Sequence, residues 1–386
     1  SSAESRRERI DAARREWMAT VLPRAAEFLR TPHRHSDGRD HAGVLDAADV
    51  SEWRAGVEPA VSTSFRGWQV YKAGVWTQGP AMLQVLRMLE PLADARLDPS
   101  TGAGAHTLLE AEKLAYADRD AWFGDTEAAA EIDALLADEY IAERAALIDA
   151  TASADLRPGS PDGRPPELPP LRTDAGVTSA GTGEPTVDRR GQTRGDTCHL
   201  DVIDRRGNVV SATPSGGWLQ SSPAVPELGF CLGTRLQATW LLPGHPASLV
   251  PGRRPRTTLT PTLLTRDREV VAIGSPGGDQ QDHWQLPVLL RMLVGGYEPQ
   301  QAIDAPTLHT TALLDSFWPR TWTPSGAVVE DRIGDEVVAD LERRGHVVRR
   351  AGDWALGRVS AVGRDASGLL WAAANPRGMQ GYAAGR

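Results

Sequence analysis

Between residues 157 and 196 the chain reads RPGSPDGRPPELPPLRTDAGVTSAGTGEPTVDRRGQTRGD, and at Thr197 its character changes within one residue. The first stretch has too few large apolar groups to offset the entropy of ordering, so it reads as a solvated, flexible linker. Past Thr197, Cys198 to Asp204 (CHLDVID), a tight turn at Arg205 to Asn208 and Val209 to Thr213 (VVSAT) form a strong hairpin signal. The fold must therefore grow around a hairpin that a loose tether precedes, and the first residue of that hairpin is a threonine.

Upstream, apolar residues recur at helical spacing over Glu4 to Arg30, Gln78 to Leu89, Ala105 to Phe123 and Thr126 to Ile148. Val61 to Ala73 (VSTSFRGWQVYKA) alternates and is rich in β-branched and aromatic residues, with Gly67 marking a turn or bulge. Downstream, strands are expected at Glu269 to Ile273, His346 to Arg350, Arg358 to Gly363 and Leu369 to Ala374. Helices are expected at Trp284 to Val294 and Asp335 to Arg344. Together these predict an α+β layered fold, with helices on the faces of a largely antiparallel sheet. The chain divides into 1–156, mostly helical, the linker 157–196, and 197–386.

With 386 residues, of which 40% are hydrophobic, a sizeable core is available. The formal charge of −9 provides no basic face for phosphate backbones, which excludes nucleic acid as an expected partner. No apolar run approaches the roughly 20 residues that span a bilayer, so no membrane association is expected. The chain opens on Ser1 rather than methionine, and its first helix lacks the apolar core of a signal peptide. The expectation is that the reading frame begins further upstream; cytoplasm is the default compartment and export is not excluded. Cys198 and Cys231 read as small buried apolar residues rather than a disulfide framework. Neither a GxSxG elbow, an HExxH motif nor a GxxxxGK[ST] loop is present, and the nine histidines show no ligand spacing, so no metal or organic cofactor is expected. His199, His283, His309 and His346 read as ordinary core or surface residues.

A hydroxyl is a weak nucleophile without an adjacent base, and a threonine that is itself a new N-terminus supplies one through its own α-amine. At Thr197 this requires cleavage of the Asp196–Thr197 bond, after which a flexible linker lets the severed end leave. A threonine that starts a strand is also an ordinary strand former. If the turn centres on Arg206 and Gly207, antiparallel pairing sets Ser215 and Gly216 across from Thr197, and Ser215 would orient its hydroxyl or amine. The alternative is that Pro214 to Gly217 is only a glycine-rich turn. Gly274-Ser275-Pro276-Gly277-Gly278 follows a predicted strand and precedes a helix; its amides suit a developing oxyanion or merely a tight connection. Arg256-Thr257-Thr258 presents a guanidinium and two hydroxyls able to fix a carboxylate, or a strand edge.

Thr197-Cys198-His199 with Asp204 to Thr213 (DRRGNVVSAT) resembles the start of the small subunit of γ-glutamyltranspeptidases. Arg254 to Thr262 (RPRTTLTPT) resembles their paired-hydroxyl segment, and Gly274 to Gly278 their oxyanion glycines. Val57-Glu58-Pro59, Phe65-Arg66-Gly67, Val70-Tyr71 and Gln78-Gly79-Pro80 are similar to the end of the large subunit, and Asn375-Pro376-Arg377 to the family's C-terminal DPR element. The resemblance implies a four-layer αββα N-terminal-nucleophile hydrolase fold with stacked, largely antiparallel sheets. It also implies self-cleavage at Asp196–Thr197 into two subunits, 1–156 being the end of the large one and 197–386 the small one. Thr197 would attack an amide carbonyl, Gly277 and Gly278 would hold the oxyanion, and the acyl group would pass to water or an amino acid. Ser215 takes the place of a second threonine, and Thr257 and Thr258 the places of carboxylate-binding serines.

Three departures accompany the resemblance. Gly217 stands where the family has asparagine, Gln237 and Ala238 stand where it has paired aspartates, and the upstream segment with a carboxylate-binding arginine is not in this sequence. Loss of a charged partner for an ammonium weakens recognition by roughly 2 to 5 kcal/mol. The leading expectation is a γ-glutamyltransferase-like amide hydrolase or acyltransferase. The alternatives are an acylase of other amides, such as glutaryl amides, and an uncleaved inactive homologue that acts as a binding protein.

Overall fold

The computed structural model describes residues 3–34, 38–53, 55–173, 197–217, 222–317, 320–377 and 381–385. Asp196, one half of the expected cleavage bond, lies outside the described residues.

In chain order, α1 (Ala3–Arg30), β1 (His33–Arg34), β2 (Asp40–His41) and α2 (Ala47–Glu52) come first. Next are β3 (Val61–Phe65), β4 (Trp68–Lys72), α3 (Gly79–Leu89), α4 (Gly102–Trp122), α5 (Ile132–Leu135) and α6 (Asp138–Ala145). After Thr197 come β5 (Leu200–Ile203), β6 (Val209–Ala212), β7 (Ala224–Val225), β8 (Phe230–Cys231), β9 (Thr262–Arg266), β10 (Glu269–Gly274), α7 (Gln281–Leu293) and α8 (Pro299–Asp304). The last elements are β11 (Leu308–Thr310), β12 (Gly326–Val329), α9 (Asp335–Arg343), β13 (Val347–Arg350), β14 (Ser360–Arg364) and β15 (Leu370–Ala374).

Two compact units result. One holds the described residues of Ser1–Glu58 and Gly216–Arg235, in which α1 packs against α2 and β7. The other holds those of Pro59–Gly176, Gly183–Ser215 and Leu236–Arg386. Its centre is a six-stranded antiparallel sheet in the order β15-β14-β10-β9-β4-β3. Strands from before and after Thr197 therefore share one ladder.

Alternation along β10 decides the layers. Val271 and Ile273 enter the core shared with α3, α4 and α7, while the other face of the strand, at Gly274, meets the His199 ring. The β5–β6 hairpin thus lies on the face of the sheet opposite the helices. Lys72 on β4 joins the layers: its ammonium bonds Asp282 of α7 at 2.9 Å and Thr262 of β9 at 2.7 Å. A smaller sheet, β11-β12-β13, with β12 and β13 parallel, packs its apolar face on α4 and α9.

Where the structure departs from the sequence expectation, the cause is tertiary. The helix expected over Thr126 to Ile148 is broken into α5 and α6, and the Leu135 carbonyl accepts from Gln84 Nε2 at 3.3 Å instead of continuing the helix. β9, which the sequence does not announce, hairpins onto β10 through Asp267 at φ 51°, a turn without glycine. Residues 157–173, expected to be solvated, follow α4 through polar bonds: Gly159 N donates to Asp118 Oδ1 at 2.8 Å and Trp122 Nε1 to the Gly159 carbonyl at 2.8 Å. Cys198 is exposed and Cys231 half-buried, so neither is the buried apolar residue expected; Cys198 alternates with the inward Thr197 and His199.

Candidate active site

The β5–β6 turn fixes where Thr197 lies. Asp204 Oδ1 accepts the N–H groups of Arg206 and Asn208 at 2.8 and 2.9 Å, and Gly207 takes φ 84°. The hydrogen bonds from Asn208 hold the Asp204 carboxyl below its ordinary pKa. Pairing of Leu200 with Ala212 and Ile203 with Val209 continues outward through a bond from Cys198 N to the Pro214 carbonyl at 3.1 Å. This sets Thr197 opposite Ser215, and the Thr197 hydroxyl donates to Ser215 Oγ at 3.0 Å.

On the same strand face, His199 Nδ1 lies 2.8 Å from Thr213 Oγ1 and Nε2 lies 2.8 Å from Asp201 Oδ2. The ring rests on Gly274, where a Cβ would occupy its space. His199 has a buried, hydrogen-bonded side chain that anchors the Thr197 strand to the end of β10. The signal was present as Thr-x-His-x-Asp at strand period two.

From Gly274 the chain turns through Gly277, at φ 124°, into α7. The Gly277 carbonyl accepts from Gln281 Nε2 inside the turn, and in a trans peptide this aims the Gly278 N–H the opposite way. Among the described residues, no acceptor takes the N–H of Gly277 or Gly278. A Cβ on Gly277 would stand 2.6 Å from Trp284 Cζ3, which explains the glycine.

Beneath this turn Asp279 accepts from Ser316 N at 2.9 Å and pairs with Arg119, which also binds Asp120 at 2.7 Å. Burial pushes the Asp279 carboxyl up, but the Arg119 and Arg256 guanidiniums outweigh it and hold the group below its ordinary pKa. Arg256, expected to meet a substrate carboxylate, is instead 2% exposed and donates to Ser316 Oγ at 2.7 Å. Burial pulls its pKa to about 10. Thr257 and Thr258 are buried behind it, and Thr257 N donates to the Trp76 carbonyl at 2.9 Å.

A cavity of about 390 Å³ opens beside Thr197 and includes Pro276, Arg358 and Asn375 in its wall. Thr257, Thr258 and Gln237 are not part of that wall; Gln237 is exposed, with its carbonyl bound by Arg320 at 2.8 Å. Gly217, in the other compact unit, has φ 91°, and a side chain there would meet Thr234 Oγ1 at 2.7 Å. Among the described residues one buried group has metal-ligand character, His106, Glu110 and His346. It suits hydrogen bonding better than a cation: the two rings bond at 2.9 Å, while Glu110 is held by Lys113 and Arg157.

The family profile described as gamma-glutamyltranspeptidase matches residues 34–385. The chain belongs to the γ-glutamyltranspeptidase family. A glutathione hydrolase-like YwrD proenzyme of Bacillus subtilis (strain 168) is 29% identical over 338 residues, covering 86% of this chain and 56% of its own. The solved structure of LmbA2991HD is 49% identical with a TM-score of 0.88, covering 98% of this chain and 64% of that one. A cephalosporin acylase from Bacillus halodurans is 25% identical with a TM-score of 0.70, covering 87% and 54%. The chain spans about half the length of the curated γ-glutamyltranspeptidase relatives it matches. The fold is that of the N-terminal-nucleophile hydrolases, with helices, the six-stranded sheet and the β5–β6 hairpin as successive layers. Among the described residues no helix is long and apolar enough to cross a membrane.

Proposed function

We propose that the whole protein is a self-processing amide hydrolase or acyltransferase in which Thr197, freed by cleavage after Asp196, is the nucleophile. The observation that carries this reading is the 3.0 Å bond between the Thr197 and Ser215 hydroxyls, with Thr197 in the wall of a cavity that Pro276, the residue before the glycine turn, also lines. The freed α-amine would accept the hydroxyl proton and Ser215 would orient the oxygen. The Gly277 and Gly278 amides would receive the negative charge that develops on the carbonyl oxygen, where preorganised donors lower a barrier by about 3 kcal/mol each. The acyl group would then pass to water or to an amine such as an amino acid.

The acyl donor is a γ-glutamyl amide or a related carboxylated amide. An acylase-type donor is favoured by one feature: Ala238 is fully buried and Gln237 points outward, so the segment offers no carboxylate to a substrate ammonium. The test begins with a denaturing gel of the full-length protein, where processing gives two bands, the smaller beginning at Thr197. Release of nitroaniline from γ-glutamyl and glutaryl anilides then separates the two donors. An intact chain that still hydrolyses either anilide would refute the nucleophile assignment.

A further inference from the structure

Beside the glycine turn stands a cation, Arg358, that no anion among the described residues pairs. β14 pairs with β10 so that Ser360 opposes Gly274. Two residues outward, Arg358 and Pro276 line the same cavity as Thr197. The preceding Gly357, at φ 75°, passes over Trp284, the ring that also lies under Gly277. One indole thus supports both the oxyanion turn and the start of the Arg358 segment.

Arg358 is half-buried, and among the described residues no carboxylate, carbonyl or hydroxyl accepts a hydrogen bond from its guanidinium. Burial is the one influence on its pKa, and it lowers it. The other charged groups in the wall have partners of their own, although Asp201 keeps one buried oxygen, Oδ1, without a donor, and it exerts no electrostatic pull on Arg358. Arg377 is bound to both Glu330 oxygens at 2.7 and 2.8 Å, and Asp201 to His199 at 2.8 Å. A partly desolvated guanidinium with no partner is a poor structural element, because it loses hydration and gains nothing in return. It is a good receptor for a planar anion, since its fork matches a carboxylate in two parallel bonds. Asn375, 7% exposed, faces the cavity as well and has a buried Oδ1 without a donor. That oxygen is suited to an N–H of the same ligand.

We propose that Arg358 is a specificity-determining residue that holds a carboxylate of the amide bound at Thr197. The proposal rests on the reading of Thr197 as the nucleophile. The carboxylate belongs either to the acyl half of the amide or to its amine half, and three anilides distinguish these sources on the full processed protein. Glutaryl 4-nitroanilide carries it on the acyl side, butyryl 3-carboxy-4-nitroanilide on the amine side, and butyryl 4-nitroanilide on neither. In Arg358→Ala the kcat/KM ratio of one carboxylated anilide over the neutral one falls about 10- to 100-fold, the loss expected of a charge-assisted bidentate pair, and Arg358→Lys recovers part of it. Unchanged ratios for both would overturn the proposal.

A second measurement does not depend on turnover. Calorimetry of glutarate and of 3-carboxy-4-nitroaniline binding to the processed protein is expected to show at least a roughly tenfold weaker affinity for one of them when Arg358→Met is added. Equal affinity for both, or binding of neither, would overturn the proposal. If no anilide is turned over but glutarate binding still requires Arg358, the nucleophile reading fails and the anion site stands.

Discussion

The Thr197 hydroxyl donates to Ser215 Oγ at 3.0 Å across the open end of the β5–β6 hairpin. Because the contact is set by strand register, either hydroxyl can be removed without disturbing the fold. Thr197→Ala should leave the precursor as a single band and lower amide hydrolysis at least about 1,000-fold. Ser215→Ala should still be cleaved but turn over about 10- to 100-fold more slowly, through kcat rather than KM. Gel densitometry and steady-state kinetics on the same preparations read both.

Gly277 combines a left-handed backbone with close contact to Trp284, so an added methyl group meets two obstacles. Gly277→Ala is expected to cost about 2 to 4 kcal/mol of stability in urea unfolding and to disorder the Gly278 amide. Urea unfolding and steady-state rates of Gly277→Ala beside the unsubstituted protein read the two losses separately.

The Lys72–Asp282 pair is fully buried and joins β4 to α7, two elements from opposite sides of the cleavage bond. Burial lowers the Lys72 pKa and the adjacent carboxylate raises it again, with burial the larger influence. Lys72→Met strands the Asp282 charge and should destabilise by about 3 to 5 kcal/mol, whereas Lys72→Met with Asp282→Leu should cost much less. Urea unfolding of the three variants gives the coupling directly.

Buried imidazoles, among them His245, His309 and His346, lower stability on the acid side. Burial lowers the pKa of His245 to about 4 and of His309 and His346 to about 3, from an ordinary 6.5. The structure shows why His309 stays neutral: its Nδ1 accepts the Trp284 indole N–H at 3.3 Å. Below pH 6.5 the unfolded chain binds protons that the folded chain refuses. Their contribution to stability is therefore full above that pH and declines as pH falls towards the folded values. At about pH 5 each imidazole should have removed about 2 kcal/mol relative to about pH 7. Unfolding curves at the two pH values measure this, and His245→Gln should reduce the slope.

What depends on neighbours along the chain could be read from the residues alone. The β5–β6 register follows from the turn at Arg206 and Gly207, so the Thr197–Ser215 contact was already arithmetic. α3, α4, α7 and the β3–β4 hairpin were legible from periodicity because each carries its own apolar pattern. The tertiary structure alone decided what depends on groups far apart in sequence. Arg256 looked like a ligand for substrate until Ser316, sixty positions on, took its guanidinium into the core. Arg358 looked like the first residue of a strand until the β10–β14 ladder set it beside Pro276 at the cavity. A local pattern fixes which way a side chain points relative to its own strand or helix; only packing fixes what it then meets, and whether a charge is neutralised there or left for a ligand.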